Sequence, residues 1–312
     1  MFKINIAFIT DDNYCQHAGV MLASLFKNNN NILFNIYCLT FSLELENKEK
    51  LLKMCGSKHR ISFVEVESQF YLLKNLSVGA EIKKWNPIMY LKCFMHLLLP
   101  KTIDRVIFLD IDMIIKHNLR PLYEIDLQGN IIGAADDWKY CYLHKKRIGI
   151  KQEDAYINSG VLVVDLYAWR LMEEKHKILT FIEQNEKKII NDQDVLALYF
   201  RNKILIIEQN WNVTTYWFER KPRISDKYLS ILDEVRMNPY IIHFCEPIKP
   251  WFRECRHPYA YLYKEFLKET PWKNYVFPSC QTFLGKSAWR YVIKQWLNDK
   301  NLRYDEWAMV KL

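Results

Sequence analysis

Short apolar runs of strand length recur along this chain, and several stop abruptly at aspartate. Residues 4–9 run into Thr10-Asp11-Asp12-Asn13, after which Val20, Leu22, Leu25 and Phe26 fall near helical spacing. The same order returns with an apolar run at 32–39, helical spacing over 43–55 and a strand at 61–66. Strands alternating with helical stretches imply parallel strands joined by crossover helices, an α/β architecture. Pro87, suited to a first helical turn, opens a predicted helix over 87–98 that leads to the strand 105–109 and Asp110-Ile111-Asp112. Further strands are expected at 131–135, 161–166, 204–207 and 240–244, and helices at 167–183 and 193–199. No Pro-, Gly- or Ser-rich linker interrupts residues 1–270, which read as one catalytic domain with 271–312 as a separate C-terminal segment.

Glycine is scarce, with 8 among 312 residues, and no two glycines have the spacing of either common glycine-rich phosphate cradle. Any phosphate must be held another way. Half the residues are hydrophobic and 26 % are charged, a globular balance that argues against disorder. The eight cysteines contain no CxxC, so a reduced cytosolic chain with buried thiols is expected. The N-terminal residues lack the pattern of a secretory signal, and no run approaches the ~18 apolar residues of a membrane span.

Residues 272–312 differ from the rest. They hold seven Lys or Arg against three acids, together with Trp272, Trp289, Trp296 and Trp307. Trp289, Val292, Ile293, Trp296 and Leu297 share one helical face, while Lys286, Arg290 and Lys294 take the other. Two readings stand: a helix docked on the core, or an interfacial helix on an anionic membrane surface. Nucleic acid fits poorly, because the remaining charge is interspersed with acids.

Asp110 and Asp112, two apart on an extended segment, project toward one face at the carboxyl end of a strand, where open α/β sheets bind ligands. Two carboxylates held that close repel unless a cation lies between them. Oxygen ligands of this kind suit Mg²⁺ or Mn²⁺, which bridge to substrate phosphates. His243 ends another apolar strand and stands either as a structural histidine or as a third ligand favouring Mn²⁺. Lys249, six residues on, could place a cation on a phosphate. Asp11 and Asn13 also suit a helix-capping turn, and Asp192 a helix N-terminal acid.

The chain resembles glycosyltransferase family 8, in particular the bacterial galactosyl- and glucosyltransferases of the lipopolysaccharide or lipooligosaccharide core. The resemblance rests on residues 4–14, 105–112, 156–161, 191–195 and 243–251, which come in the family's order. It implies a GT-A fold, a single Rossmann-like nucleotide-sugar-binding domain, and retaining transfer from UDP-galactose or UDP-glucose to an oligosaccharide acceptor on lipid. It further implies Mn²⁺ (or Mg²⁺) on Asp110, Asp112 and His243, with Lys249 on the diphosphate. Ile9, Asp11 and Asn13 resemble uridine and ribose contacts, and Ile111 a residue of the nucleotide site. Asn158 resembles a donor-site side chain beside Gly160, where backbone can approach a ligand. Asp137 and Asp192 match positions that bond the donor sugar's hydroxyls, and Gln193 the residue beneath its anomeric carbon.

An amide there is a weak nucleophile, so front-face substitution is favoured over double displacement, with Asp194 or Asp137 as the competing nucleophile. Two positions depart from the family. Tyr90-Leu91-Lys92 replaces Tyr-x-Arg and leaves Lys92 as a phosphate contact, and Glu246 stands where it could repel a diphosphate. A sugar-phosphate nucleotidyltransferase would need a Gly- and Arg-rich loop that the chain lacks. A carbohydrate-binding protein on an inactive transferase fold is the non-enzymatic alternative. The expected location is cytoplasmic, peripheral to the inner face of the membrane.

Overall fold

A computed structural model of the chain describes residues 1–66, 87–174, 177–285, 292–293, 296–297, 309–310 and 312. Its strands are β1 (Phe2–Ile9), β2 (Ile32–Thr40), β3 (Arg60–Glu65), β4 (Arg105–Leu109), β5 (Met113–Ile115), β6 (Ile132–Ala134), β7 (Val161–Asp165), β8 (Ile204–Ile206), β9 (Val213–Thr214) and β10 (Ile241–His243). Seven of them form one sheet in the order β3-β2-β1-β4-β7-β6-β8, and β5, β10 and β9 form a small second sheet. Pairings β1–β2, β2–β3, β1–β4 and β6–β8 are parallel, as the strand–helix alternation predicts. β7 runs against both β4 and β6.

The large sheet is covered on both faces, which is why its central strands are apolar at nearly every position. Val106 and Phe108 enter one core with Leu162, Val164 and Trp169. Ile107 and Leu109 enter the other with Ile4, Ile6, Phe8 and the apolar face of helix α1 (Cys15–Lys27). Helix α2 (Leu45–Cys55) closes the β2–β3 crossover. A third core joins the small sheet to the C-terminal part of the chain.

Two helices differ from the sequence expectation. The stretch 87–98 is a 3₁₀ helix, Pro87–Phe94, followed by one α-turn, Met95–Leu98. It is wedged against the sheet, with Tyr90, Leu91, Cys93, Phe94 and Met95 buried, so tertiary contacts set its winding rather than local propensity. The predicted helix 167–183 is two helices, Leu166–Glu173 and Ile178–Gln184. Asp165 caps the first by accepting from the Ala168 N–H, and Glu173 accepts the Ile178 N–H at the start of the second.

Past residue 270 the chain docks instead of trailing away. Trp272, Tyr275, Phe277 and Cys280 join the third core, and Gly19 of α1 leaves the space that the Trp272 ring fills. Val310 N–H donates to Phe218 O, returning the C-terminal end to the same core. Of the expected amphipathic helix, Val292, Ile293, Trp296 and Leu297 are helical, whereas Lys286, Trp289, Arg290 and Lys294 lie outside the described residues. All eight cysteines are free thiols, and burial pushes Cys15 and Cys55 up to about 12.

Candidate active site

Three backbone junctions build the site. β4 ends at Leu109, and the chain turns through Asp110-Ile111-Asp112 into β5. Because β7 is antiparallel and pairs Val161 with Leu109, the preceding Asn158-Ser159-Gly160 arrives at the same edge, where Asp110 N–H donates to Gly160 O (2.8 Å). β10 pairs with β5 so that His243 lies opposite Met113, and Phe244 N–H donates to Asp112 O (2.9 Å). The candidate ligand atoms of Asp110, Asp112 and His243 all lie within 4.8 Å of one another. His243 Nε2 is 3.3 Å from Asp112 Oδ1 and 3.9 Å from Asp110 Oδ2. Gly160 makes this possible by packing: a Cβ there would overlap the His243 ring, so the room expected for a ligand is taken by imidazole.

Lys249 Nζ sits 2.5 Å from Asp112 Oδ2 and also donates to Phe244 O. Burial works against the Asp112 carboxylate, but the Lys249 ammonium beside it is the strongest of the pulls that hold this carboxyl well below the usual range. Asp110 goes the other way: burial raises it and Asp112 adds repulsion, against the pull of Lys92. Lys92, 2 % exposed, lies 3.1 Å from Asp110 and 3.0 Å from Asp192. Its ammonium also donates to Ser159, so the cation expected on a substrate phosphate stands in the cleft wall already paired with protein groups. Asp192 Oδ2 accepts from Ser159 Oγ as well (2.6 Å).

Beyond the Asp110, Asp112 and His243 trio the groups interlock. Gln193 Nε2 donates to Asp137 Oδ2 (3.0 Å), and Gln193 Oε1 accepts from Ser159 N–H (3.1 Å). Asn158 Nδ2 donates to Asp137 Oδ1 (3.3 Å), and burial raises the Asp137 carboxyl. Asp194 is fully buried and held by Arg147, Tyr156 and the Ile190 N–H while its neighbour Asn191 caps helix Asp192–Tyr199. Asp194 does not line the cleft described next.

These residues surround a cleft of about 590 Å³, within the range of small-molecule sites. Its wall includes Ile9, Asp11, Lys92, Asp110, Ile111, Asp112, Asp137, Asn158, Asp192, Gln193, His243 and Lys249. Asn13 is exposed and stands outside the wall; Asp11 turns the chain by accepting from Tyr14 N–H, so Tyr14 faces the cleft instead. Glu246 is likewise absent from the wall, its carboxylate drawn to Arg223 at 3.0 Å, which relieves the expected repulsion. Trp138 and Tyr216, stacked at 5.3 Å, line the cleft without having been marked by any sequence pattern, and Asn212, buried behind His243 at 3.0 Å, was not marked either.

The largely parallel α/β sheet is the GT-A fold of glycosyltransferases, shared with the solved structure described below. The chain belongs to glycosyl transferase family 8, whose profile matches residues 5–255. General stress protein A of Bacillus subtilis (strain 168) is 26 % identical over 280 residues, covering 87 % of this chain and 95 % of that protein. Lipopolysaccharide 1,2-glucosyltransferase of Escherichia coli (strain K12) is 24 % identical over 278 residues, covering 87 % and 79 %. The crystal structure of galactosyltransferase LgtC with donor and acceptor sugar analogues superposes with a TM-score of 0.71 at 24 % identity, over 86 % of this chain and 96 % of that one, and shares the fold.

Proposed function

We propose that this glycosyltransferase moves galactose or glucose from UDP to an oligosaccharide carried on lipid, with retention of configuration and with Mn²⁺ or Mg²⁺ at Asp110, Asp112 and His243. The observation that carries the reading is the charge of the cleft. Five aspartates (11, 110, 112, 137 and 192) face two lysines (92 and 249) in its wall. Such a wall repels a diphosphate, and Asp110 is already driven toward its neutral form. Two carboxylates and an imidazole nitrogen are the donor set that accepts a divalent cation. When bound, that cation supplies positive charge to the departing diphosphate.

The protein's own groups divide the remaining work. Lys249 adds a cation beside the cluster, and Tyr14, 46 % exposed, offers a ring face to the uracil next to Asp11. Asp137 and Asp192 accept from sugar hydroxyls. Gln193, its amide oriented by Ser159 and Asp137, keeps a lone pair on Oε1 for the positive charge developing at the ring carbon. Both oxygens of Asp137 already accept hydrogen bonds and Asp194 is buried, which favours attack from the leaving-group side over a glycosyl-enzyme intermediate. A second cleft of about 670 Å³ shares Asp137 and Trp138 with the first and offers the acceptor room.

Among the described residues, no helix is long and apolar enough to cross a membrane. Ile293 and Trp296 are 49 % and 55 % exposed in a cationic stretch of a chain with net charge +8, which suits peripheral contact with an anionic cytoplasmic membrane face. Incubation with a panel of UDP-sugars tests the donor: UDP should form from UDP-galactose or UDP-glucose well above the others. Rapid quenching and intact-mass measurement should find no hexose attached to the parent enzyme. An adduct on Asp137 would replace front-face attack by double displacement, and no UDP from any hexose donor would end the reading.

A further inference from the structure

We infer that Asn212 is a positioning residue that sets which ring nitrogen of His243 carries the proton, and thereby keeps Nε2 open toward Asp110 and Asp112. The inference rests on the reading of that trio as a metal site. It begins at a backbone group whose polarity is fixed. Gly160 N–H can only donate, and it meets Asn158 Oδ1 at 3.1 Å. The other partner of that oxygen, 2.9 Å away, must then also be a donor, which makes it Asn212 Nδ2. The Asn212 amide is thereby oriented, and its Oδ1 faces His243 Nδ1 at 3.0 Å. A neutral imidazole can meet an acceptor there only as the Nδ1–H form, leaving the Nε2 lone pair free.

A force opposes this arrangement. Asp112 Oδ1, 3.3 Å from Nε2, draws the proton to that nitrogen, where it would block coordination. Asn212 resists the transfer from the far side of the ring. On the Nδ1 side the ring meets Asn212, itself 1 % exposed, so no solvent molecule substitutes there for the missing acceptor. β9, parallel to β10 with Thr214 beside His243, holds Asn212 in place at its start. The same chain continues from Asn158 Nδ2 to Asp137 and Gln193, so one set of oriented amides spans the metal cluster and the sugar end of the cleft. Outer partners of this kind change metal affinity by roughly 10–100-fold.

Long-range ¹H–¹⁵N NMR of the metal-free enzyme in mildly alkaline buffer, with His243→Gln to assign the ring, reads the tautomer directly. The parent should show Nδ1 protonated. Asn212→Leu should move the proton to Nε2 and weaken Mn²⁺ binding, measured by paramagnetic resonance of free Mn²⁺, by about 10–100-fold. Asn212→Asp keeps an acceptor at Nδ1 while losing the donor to Asn158 Oδ1, and should return the proton to Nδ1. An Nε2-protonated parent overturns the inference even where Asn212→Leu fails to fold, and so does a folded Asn212→Leu with unchanged tautomer and affinity. Asp112→Asn is the separate control: Mn²⁺ binding that survives it defeats the metal reading of the trio, independently of what the tautomer shows.

Discussion

Lys92 shows how far one side chain's surroundings can change its task. As Tyr90-Leu91-Lys92 it reads as a cation for a phosphate, yet it is buried between Asp110 and Asp192 and balances them instead. Lys92→Met should therefore cost stability as well as activity, about 3–5 kcal/mol in urea denaturation, because it removes the buried cation that balances two carboxylates. A loss under 1 kcal/mol would mean that the lysine is not holding the pair. At this scale the sequence reveals residues whose chemistry is announced by position, such as Asp110 and Asp112 directly after four apolar strand residues. It conceals Asn212, a single asparagine in a short 3₁₀ turn with no periodic pattern, whose importance arises only when β9 and β10 lie side by side. Asn13 is placed by a similarly local detail: an Asx turn decides which of two adjacent residues lines the cleft, and here it is Tyr14.

At the level of elements, apolar runs and helical spacing identify most strands and helices but carry no sign of direction. Nothing in Val161-Leu162-Val163-Val164 distinguishes an antiparallel strand from a parallel one, although the reversal of β7 is what delivers Asn158-Ser159-Gly160 to the site. The break in the predicted helix 167–183 is similarly local, made by the Glu173 carboxylate at the Ile178 N–H. The first part of the C-terminal segment docks on the core, and the membrane reading of its later part is a proposal with its own test. Trp272 fills the gap above Gly19, so Trp272→Ala should lower stability by on the order of 2 kcal/mol, read from thermal or urea melts. Ile293→Ser with Trp296→Ser removes exposed apolar area, and should reduce sedimentation with anionic vesicles while UDP release in solution stays at the parent rate. Unchanged vesicle binding by that double variant would separate the segment from any membrane role.

Over the whole molecule the charge is unevenly distributed: a chain with net charge +8 lines its cleft with more acids than bases. Burial also leaves two histidines neutral, pushing His17 and His257 from the usual 6.5 down to about 3. Between those values the unfolded chain takes up protons that the folded chain refuses. Stability should thus fall as pH drops from about 6.5 toward 3, by up to about 1.4 kcal/mol per pH unit for each histidine. His257→Gln should flatten that slope in urea melts across the window, and identical slopes would contradict the assignment. On the proposed function, the cleft's acidity means that a diphosphate should enter only with a cation. UDP release from UDP-galactose and UDP-glucose should proceed with Mn²⁺ and fall by at least about 100-fold with a chelator, and equally in Asp110→Asn with Asp112→Asn. Turnover undiminished by the chelator and by the double variant would contradict the account.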